Sequence, residues 1–198
     1  DRTSGYWGTT TGGAAYETGD RTGSYTITET VGNSHGSFEN WIDGDMTENA
    51  SGSWGLGGGA ITGDYIRLDL GSGNSKVYIG AKIYSQSTHS AGTWKWQGSN
   101  DASSWTDLSG TFTWGQSETQ ETLWSNTTAH RYIQVLGLSG NTGNDVWEVE
   151  VEFKVDSTTV NATGTVIQSA NTVSGSRTAV GGTMLYADTS GTATLGTD

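Results

Sequence analysis

DYIRLDLGSGNSKVYIGAKIYSQSTHSAGTWKWQGSNDASSWTDL, residues 64–108, holds three alternating runs in succession. They are Ile66/Leu68/Leu70, then Val77/Ile79/Ala81/Ile83, then Trp94/Trp96, with polar or charged residues between the apolar ones. A period of two over several residues describes strands with one buried and one wetted face. The punctuation between the runs, Gly71-Ser72-Gly73-Asn74 and Ser99-Asn100-Asp101, has turn chemistry. Short strands joined by such turns, with no helical period, predict an all-β antiparallel sheet whose apolar face needs a second sheet to cover it.

Outward from this stretch the pattern continues. Phe112/Trp114 and Thr122/Trp124 mark two short strands around the polar turn 115–120, and Arg131–Leu136 reads as a strand with Ile133 and Val135 inward. The clearest alternation is Trp147, Val149, Val151, Phe153 and Val155 against Glu148, Glu150, Glu152 and Lys154, which predicts a buried face and a face of carboxylates meeting water or cations. Upstream, Tyr25, Ile27 and Val31 suggest a lead-in strand within an arm spanning residues 1–32. Residues 33–59 read as a long loop region whose ordered point is the turn Asp43-Gly44-Asp45. Residues 157–198 change character. They are rich in Thr, Ser, Gly and Ala, carry no Trp, and their aliphatic groups, Val166-Ile167 and Met184-Leu185-Tyr186, are too sparse for a core of their own. That segment is expected to be an extended or β connector that leans on the main domain or on other chains.

An apolar strand ending in Leu68-Asp69-Leu70-Gly71, then V-x-I-x-x-x-I-Y from Val77, then W-x-W-x-G-S-N-D-x-S-x-W from Trp94 resembles the discoidin or coagulation-factor C-type domain. This is the galactose-binding-like jelly-roll β-sandwich also used by one large group of carbohydrate-binding modules. Asn40-Trp41-Ile42-Asp43-Gly44-Asp45, Arg131-Tyr132-Ile133 and Trp147-Glu148-Val149-Glu150-Val151 extend the likeness in the same order, over residues 33–155. The domain is accordingly bounded at 33–156. The phrases GTVIQSANTV and GGTMLYADTSGTATLGTD are similar to segments of tail-fibre and other structural proteins of tailed phages.

The resemblance implies a structural Ca²⁺ held by a D-G-D loop and residues before the last strand. Carried over, Asp43 and Asp45 supply side-chain oxygens, Asn40 and Thr47 supply oxygens nearby, and Glu148 comes from the far end. Several hard, partly anionic oxygens on a tight turn suit Ca²⁺; an Asx-turn with no metal is the other reading of the same residues. For sugar binding, an aromatic face and a few planar hydrogen-bonding groups at loop ends are needed, and His35, Trp54, His89 and Asn141 are the candidates. His89 lies in a loop, 85–92, where relatives that bind galactose or fucose place basic residues, although no Arg stands there. Both histidines can equally be exposed loop residues without a role.

Composition narrows the partners. A net charge of −12 and a pI near 4.4 repel nucleic acid and anionic membrane surfaces, and no apolar run reaches the roughly 18–20 residues of a membrane span. Without cysteine there is neither disulfide nor thiolate chemistry, no Ser stands in a G-x-S-x-G elbow, and three scattered His do not suggest a zinc cluster. The carboxylate pairs Asp43/Asp45 and Glu148/Glu150 could in principle hydrolyse glycosides, but the first reads better as a metal loop and the second as a wetted strand face. The expectation is therefore a non-catalytic adhesion module, extracellular or on a virion surface such as a phage tail fibre, binding a host glycan and other virion subunits or itself. A purely structural assembly module and the binding module of a secreted glycoside hydrolase are the alternatives. The abrupt beginning and end of the chain predict a fragment of something larger or a processed form.

Overall fold

The computed structural model describes residues 13–46, 54–85, 90–115, 119–142 and 147–156, with backbone only at 54–55 and 147–149. These residues belong to one compact unit, Gly13–Ser157. The tail 157–198 and its expected connector role lie outside the described residues.

Along the chain the strands are β1 Ala15–Tyr16, β2 Thr26–Glu29, β3 Asn33–His35, β4 Trp54–Leu56, β5 Gly59–Ala60, β6 Tyr65–Asp69 and β7 Val77–Ser85. There follow β8 Thr93–Ser99, β9 Thr106–Asp107, β10 Phe112–Thr113, β11 Thr119–Leu123, β12 Tyr132–Ser139, β13 Asn141–Thr142 and β14 Trp147–Asp156. The one helical element among the described residues is a 3-10 turn, Phe38–Trp41. All pairings are antiparallel. One sheet runs β11-β7-β14-β4-β3 with β1 on the far part of β14, the other β10-β8-β12-β6-β2 with β9 on β8, and β13-β5 forms a short ribbon. Residues 13–32, read from sequence as part of a lead-in arm, supply β1 and β2, which hydrogen-bond into the two sheets.

Alternation decides the core. Ile66, Leu68, Trp94, Trp96, Ile133 and Val135 from one sheet, and Ala81, Ile83, Val151 and Phe153 from the other, are at most 1% exposed. Each large apolar side chain so buried contributes about 1.5–3 kcal/mol. Two expectations fail here for an identifiable reason. The register of β14 on β7 slips between Lys154 and Val155, so that Lys154 faces Gly80 and Val155 faces Tyr78. Such a bulge leaves Ile79 unpaired and switches the inward parity. Tyr78 is therefore fully buried, whereas Ile79, expected inside, is only half-buried. Glu150 keeps the register of Glu152 on the outer face, opposite Tyr84, but Arg21 and the turn at Gly44 cover it there: it is 1% exposed.

The region 33–59 also departs from the expected loop. It contributes β3, β4, the start of β5 and the 3-10 turn, and Trp41, Ile42 and Leu56 are completely buried. Trp41 stacks on Trp114 (ring centroids 5.4 Å apart) and on Trp96 (6.3 Å), while Trp94 meets Trp114 edge-on at 5.1 Å. Strand β8, the turn after β10 and the 3-10 turn thus share one indole cluster. Sequence periodicity cannot report such a contact, because a single aromatic on an aperiodic segment has no period.

Candidate functional site

The end of the sandwich where β7 finishes and β14 begins gathers the strands that carry the sugar-binding candidates. Glu148 of β14 lies opposite both Trp54 of β4 and Ser85 of β7, and His35 of β3 lies opposite Gly55. His35 and Trp54 are thereby on neighbouring strands. His35 is half-buried, its Nδ1 3.3 Å from Ser34 Oγ. Asn141 is exposed on the β5–β13 ribbon opposite Ala60, and the ribbon is tied back to the segment after β4 by the Thr142 hydroxyl, which donates to the Gly57 carbonyl. His89, Thr47 and the side chains of Trp54 and Glu148 lie outside the described residues.

The acidic turn is built against a segment that sequence reading overlooked. The Arg21 N–H donates to the Ile42 carbonyl (2.8 Å), so residues 19–21 run against residues 42–44. Gly44 has φ +77°, and a Cβ there would sit 2.5 Å from the Gly19 carbonyl carbon; both facts require glycine. Its N–H donates to Glu150 Oε2 (2.8 Å), and the Arg21 guanidinium forms an ion pair with the same carboxylate. Arg21 and Glu150 are 6% and 1% exposed, which makes this a buried pair joining the turn, the β1–β2 connection and β14. Nothing in the sequence marks Arg21, because its partner is 129 positions away and appears solvent-facing by alternation.

Asp43 accepts the Asp45 N–H at 2.8 Å, an Asx-turn. Its carboxyl is held above the usual range, first by burial and then by the charges of Asp45 and Asp20. Asn40 lies half-buried in the 3-10 turn. Among the described residues no three acidic or His side chains form a group able to hold a metal. The described oxygens nevertheless fit a hard cation, since carboxylates crowded on a tight turn are stabilised by a positive charge brought between them. Glu150 is not a spare ligand, because Arg21 and Gly44 already occupy it.

The opposite end of the sandwich holds an open cavity of about 510 Å³, lined by Gly23, Ser24, Leu70, Gly73, Asn74, Ser75 and Lys76. Nearby, His130 is 4% exposed and neither ring nitrogen has a hydrogen-bond partner among the described residues. Its ring lies over Gly98, where a Cβ would come within 2.7 Å of it. Burial disfavours the imidazolium and lowers its pKa. The unfolded chain, with a value near 6.5, then binds the proton more readily than the folded one. This contribution to stability is present above about pH 6.5 and is lost as pH falls through the lower folded value. Urea midpoints at pH 7.5 and pH 5 should therefore drop further in the wild type than in His130→Gln; parallel losses would exclude the effect.

No family model matches the chain, and no curated protein does. Solved structures do. The family 32 carbohydrate-binding module of Clostridium perfringens NanJ, in complex with galactose, is similar over 69% of this chain and 98% of its own, with a TM-score of 0.52 at 14% identity. CpGH89CBM32-5 from Clostridium perfringens, in complex with GalNAc-β-1,3-galactose, matches over 67% and 96% (TM-score 0.50, 16% identity). The C-terminal domain of a chitobiase from Bacteroides fragilis matches over 70% and 96% (TM-score 0.50, 17% identity). The fold is the discoidin-type, galactose-binding-like β-sandwich. At such identities it is the architecture that is shared, and the discoidin-type sandwich described above agrees with them in its two antiparallel sheets.

Proposed function

We propose that residues 13–157 form a non-catalytic carbohydrate-binding module whose sugar site is the end of the sandwich bearing His35, Trp54 and Asn141, with His89 a further candidate from the sequence alone. The observation that carries this reading is the convergence of β3, β4 and the β5–β13 ribbon at one end of a discoidin-type sandwich. That structural neighbours were solved with galactose and with GalNAc-β-1,3-galactose supports a galactose-type ligand. Calorimetric titration with both sugars tests it. Trp54→Ala should weaken binding about tenfold or more, equivalent to at least ~1.4 kcal/mol. Unchanged affinity in Trp54→Ala and His35→Ala would remove the site from this end.

Asp43, Asp45 and Asn40, with Thr47 and Glu148, would hold Ca²⁺, which would supply positive charge to the crowded carboxylates and brace the turn. Bound at a hundredfold excess over its dissociation constant, such an ion adds about 2.7 kcal/mol, or roughly 5–10 °C for a domain of this size. Chelation should lower the melting temperature of the wild type by that amount and leave Asp45→Ala unmoved. Identical melting with and without chelator argues for the bare Asx-turn.

The module is read as extracellular. Its occurrence beside a glycosidase domain is supported by the chitobiase origin of one structural neighbour, and its display on a virion appendage by the likeness of residues 157–198 to tail-fibre segments. The neighbouring domain in the full gene product distinguishes the two. A continuous protein lattice covering the loop end would instead favour the structural assembly module.

A further inference from the structure

The solvent face of the β10-β8-β12-β6-β2 sheet carries more than the plain polar residues that alternation requires. Tyr65, Arg67 and Asp69 project from β6, Tyr132 and Gln134 from β12, Lys95 and Gln97 from β8, all opposite to buried neighbours. The register sets Arg67 against Gln134 and Gln134 against Gln97. Gln134 Oε1 accepts from Arg67 Nε (3.1 Å) and Nη2 (3.0 Å), and Gln134 Nε2 donates to Gln97 Oε1 (2.9 Å). Gln97 Nε2 donates in turn to Asp107 (2.6 Å). The two amides are 3% and 7% exposed, so they form a fixed base. Above it the Arg67 guanidinium lies 4.4 Å from the Tyr65 ring centroid and 4.6 Å from that of Trp105. Trp105 meets Tyr132 at 6.4 Å, and Arg131 covers Tyr132 at 4.6 Å.

What this assembly leaves unused is specific. Arg131 is bound through two nitrogens to Asp69, and Lys95 to Asp107. Arg67 has no carboxylate within ion-pair distance among the described residues. A guanidinium has five N–H donors. Gln134 takes the Nε–Nη2 side, which leaves the Nη1–Nη2 end, the edge suited to bidentate capture of a carboxylate. The Trp105 indole N–H and the Tyr65 and Tyr132 hydroxyls make no hydrogen bond to any described group. Of the tryptophans with described side chains, Trp105 is the one outside the core and its packed fringe. In a chain of net charge −12, this face sets three cations against two carboxylates.

We infer that this sheet face is a second saccharide site, distinct from the loop end, selective for sugars that carry a carboxylate. The Arg67 end edge receives the carboxylate, the Trp105 and Tyr132 rings flank the pyranose, and the buried amides hold Arg67 in place so that little freedom is lost on binding. The inference rests on the reading of the domain as a carbohydrate-binding module. Tri-galacturonate, its methyl ester and tri-aspartate would be titrated into the whole chain, following the Trp105 indole N–H by NMR, with galactose as a fourth ligand. Tri-galacturonate should shift that resonance, and the ester should bind at least tenfold more weakly. Trp105→Ala, and independently Arg67→Lys, should abolish tri-galacturonate binding while melting as cooperatively as the wild type. Equal binding of acid and ester, equal binding of tri-aspartate, or no binding of tri-galacturonate overturns the inference. If galactose binds and tri-galacturonate does not, the loop-end reading stands alone. If tri-galacturonate binds through Trp105 and galactose does not bind, the loop-end reading falls and the sheet-face site remains.

Discussion

Arg21→Ala should destabilise the domain by about 3–5 kcal/mol, the cost of stranding a buried charge whose partner has been removed. Glu150 is 1% exposed, and after the substitution its carboxylate would retain only the Gly44 N–H at 2.8 Å. Against a total of about 5–15 kcal/mol for a domain, this removes from about a fifth to nearly all of the stability, and the urea midpoint should fall in proportion. The test of mechanism is the double variant. Arg21→Met with Glu150→Gln removes both charges, fills the guanidinium's volume with apolar atoms and keeps an acceptor for Gly44. Replacing a whole buried pair in this way is often neutral or better, so the double variant should recover most of the loss. If Arg21→Ala costs less than about 1 kcal/mol, as an exposed pair would, the pair does not brace the turn. If the double variant is as unstable as the single one, the loss comes from packing and not from charge.

Trp41→Ala should cost about 3–5 kcal/mol, the range for removing a large buried aromatic. It has no exposed surface and stacks on both Trp96 and Trp114, and each aromatic pair adds about 0.5–1.5 kcal/mol beyond area. Because Ile42 and the Asp43–Asp45 turn follow it directly, the cavity should also loosen the candidate cation loop. Trp41→Phe, which keeps a ring in the stack, should lose less than half as much. Near-equal denaturation curves for Trp41→Ala and the wild type would show that residues 38–42 are dispensable to the core.

How much of this was legible beforehand follows from how each feature is encoded. Strands β6, β8, β12 and β14 and their buried faces are local: each carries its own alternation, and Ile66, Leu68, Trp96, Ile133, Val151 and Phe153 are inside as their spacing requires. The all-β class and the order of the family-like motifs are likewise properties of consecutive residues, and the discoidin-type sandwich followed from them. The Asp43-Gly44-Asp45 turn was legible as a turn, since its Asx hydrogen bond spans two residues.

What the tertiary structure decided depends on pairs far apart in sequence. Bulges at Ile79 and Val149 shift parity, and a bulge is a relation between two strands that neither strand's pattern contains. Hence Tyr78 went in where Ile79 was expected. Glu150 stayed on the outer face and was buried there by Arg21 and the Gly44 turn, which come from distant parts of the chain. Trp41 was hidden in a segment with no period. Trp105 ends up outside the core, over Arg67, because the turn at Asp101 and the pairing of β9 with β8 carry it onto the sheet face. Alternation determines which side of a strand is apolar; only the folded chain determines which distant groups share a face, because desolvation and Coulomb energy depend on distance in space and not on separation along the sequence.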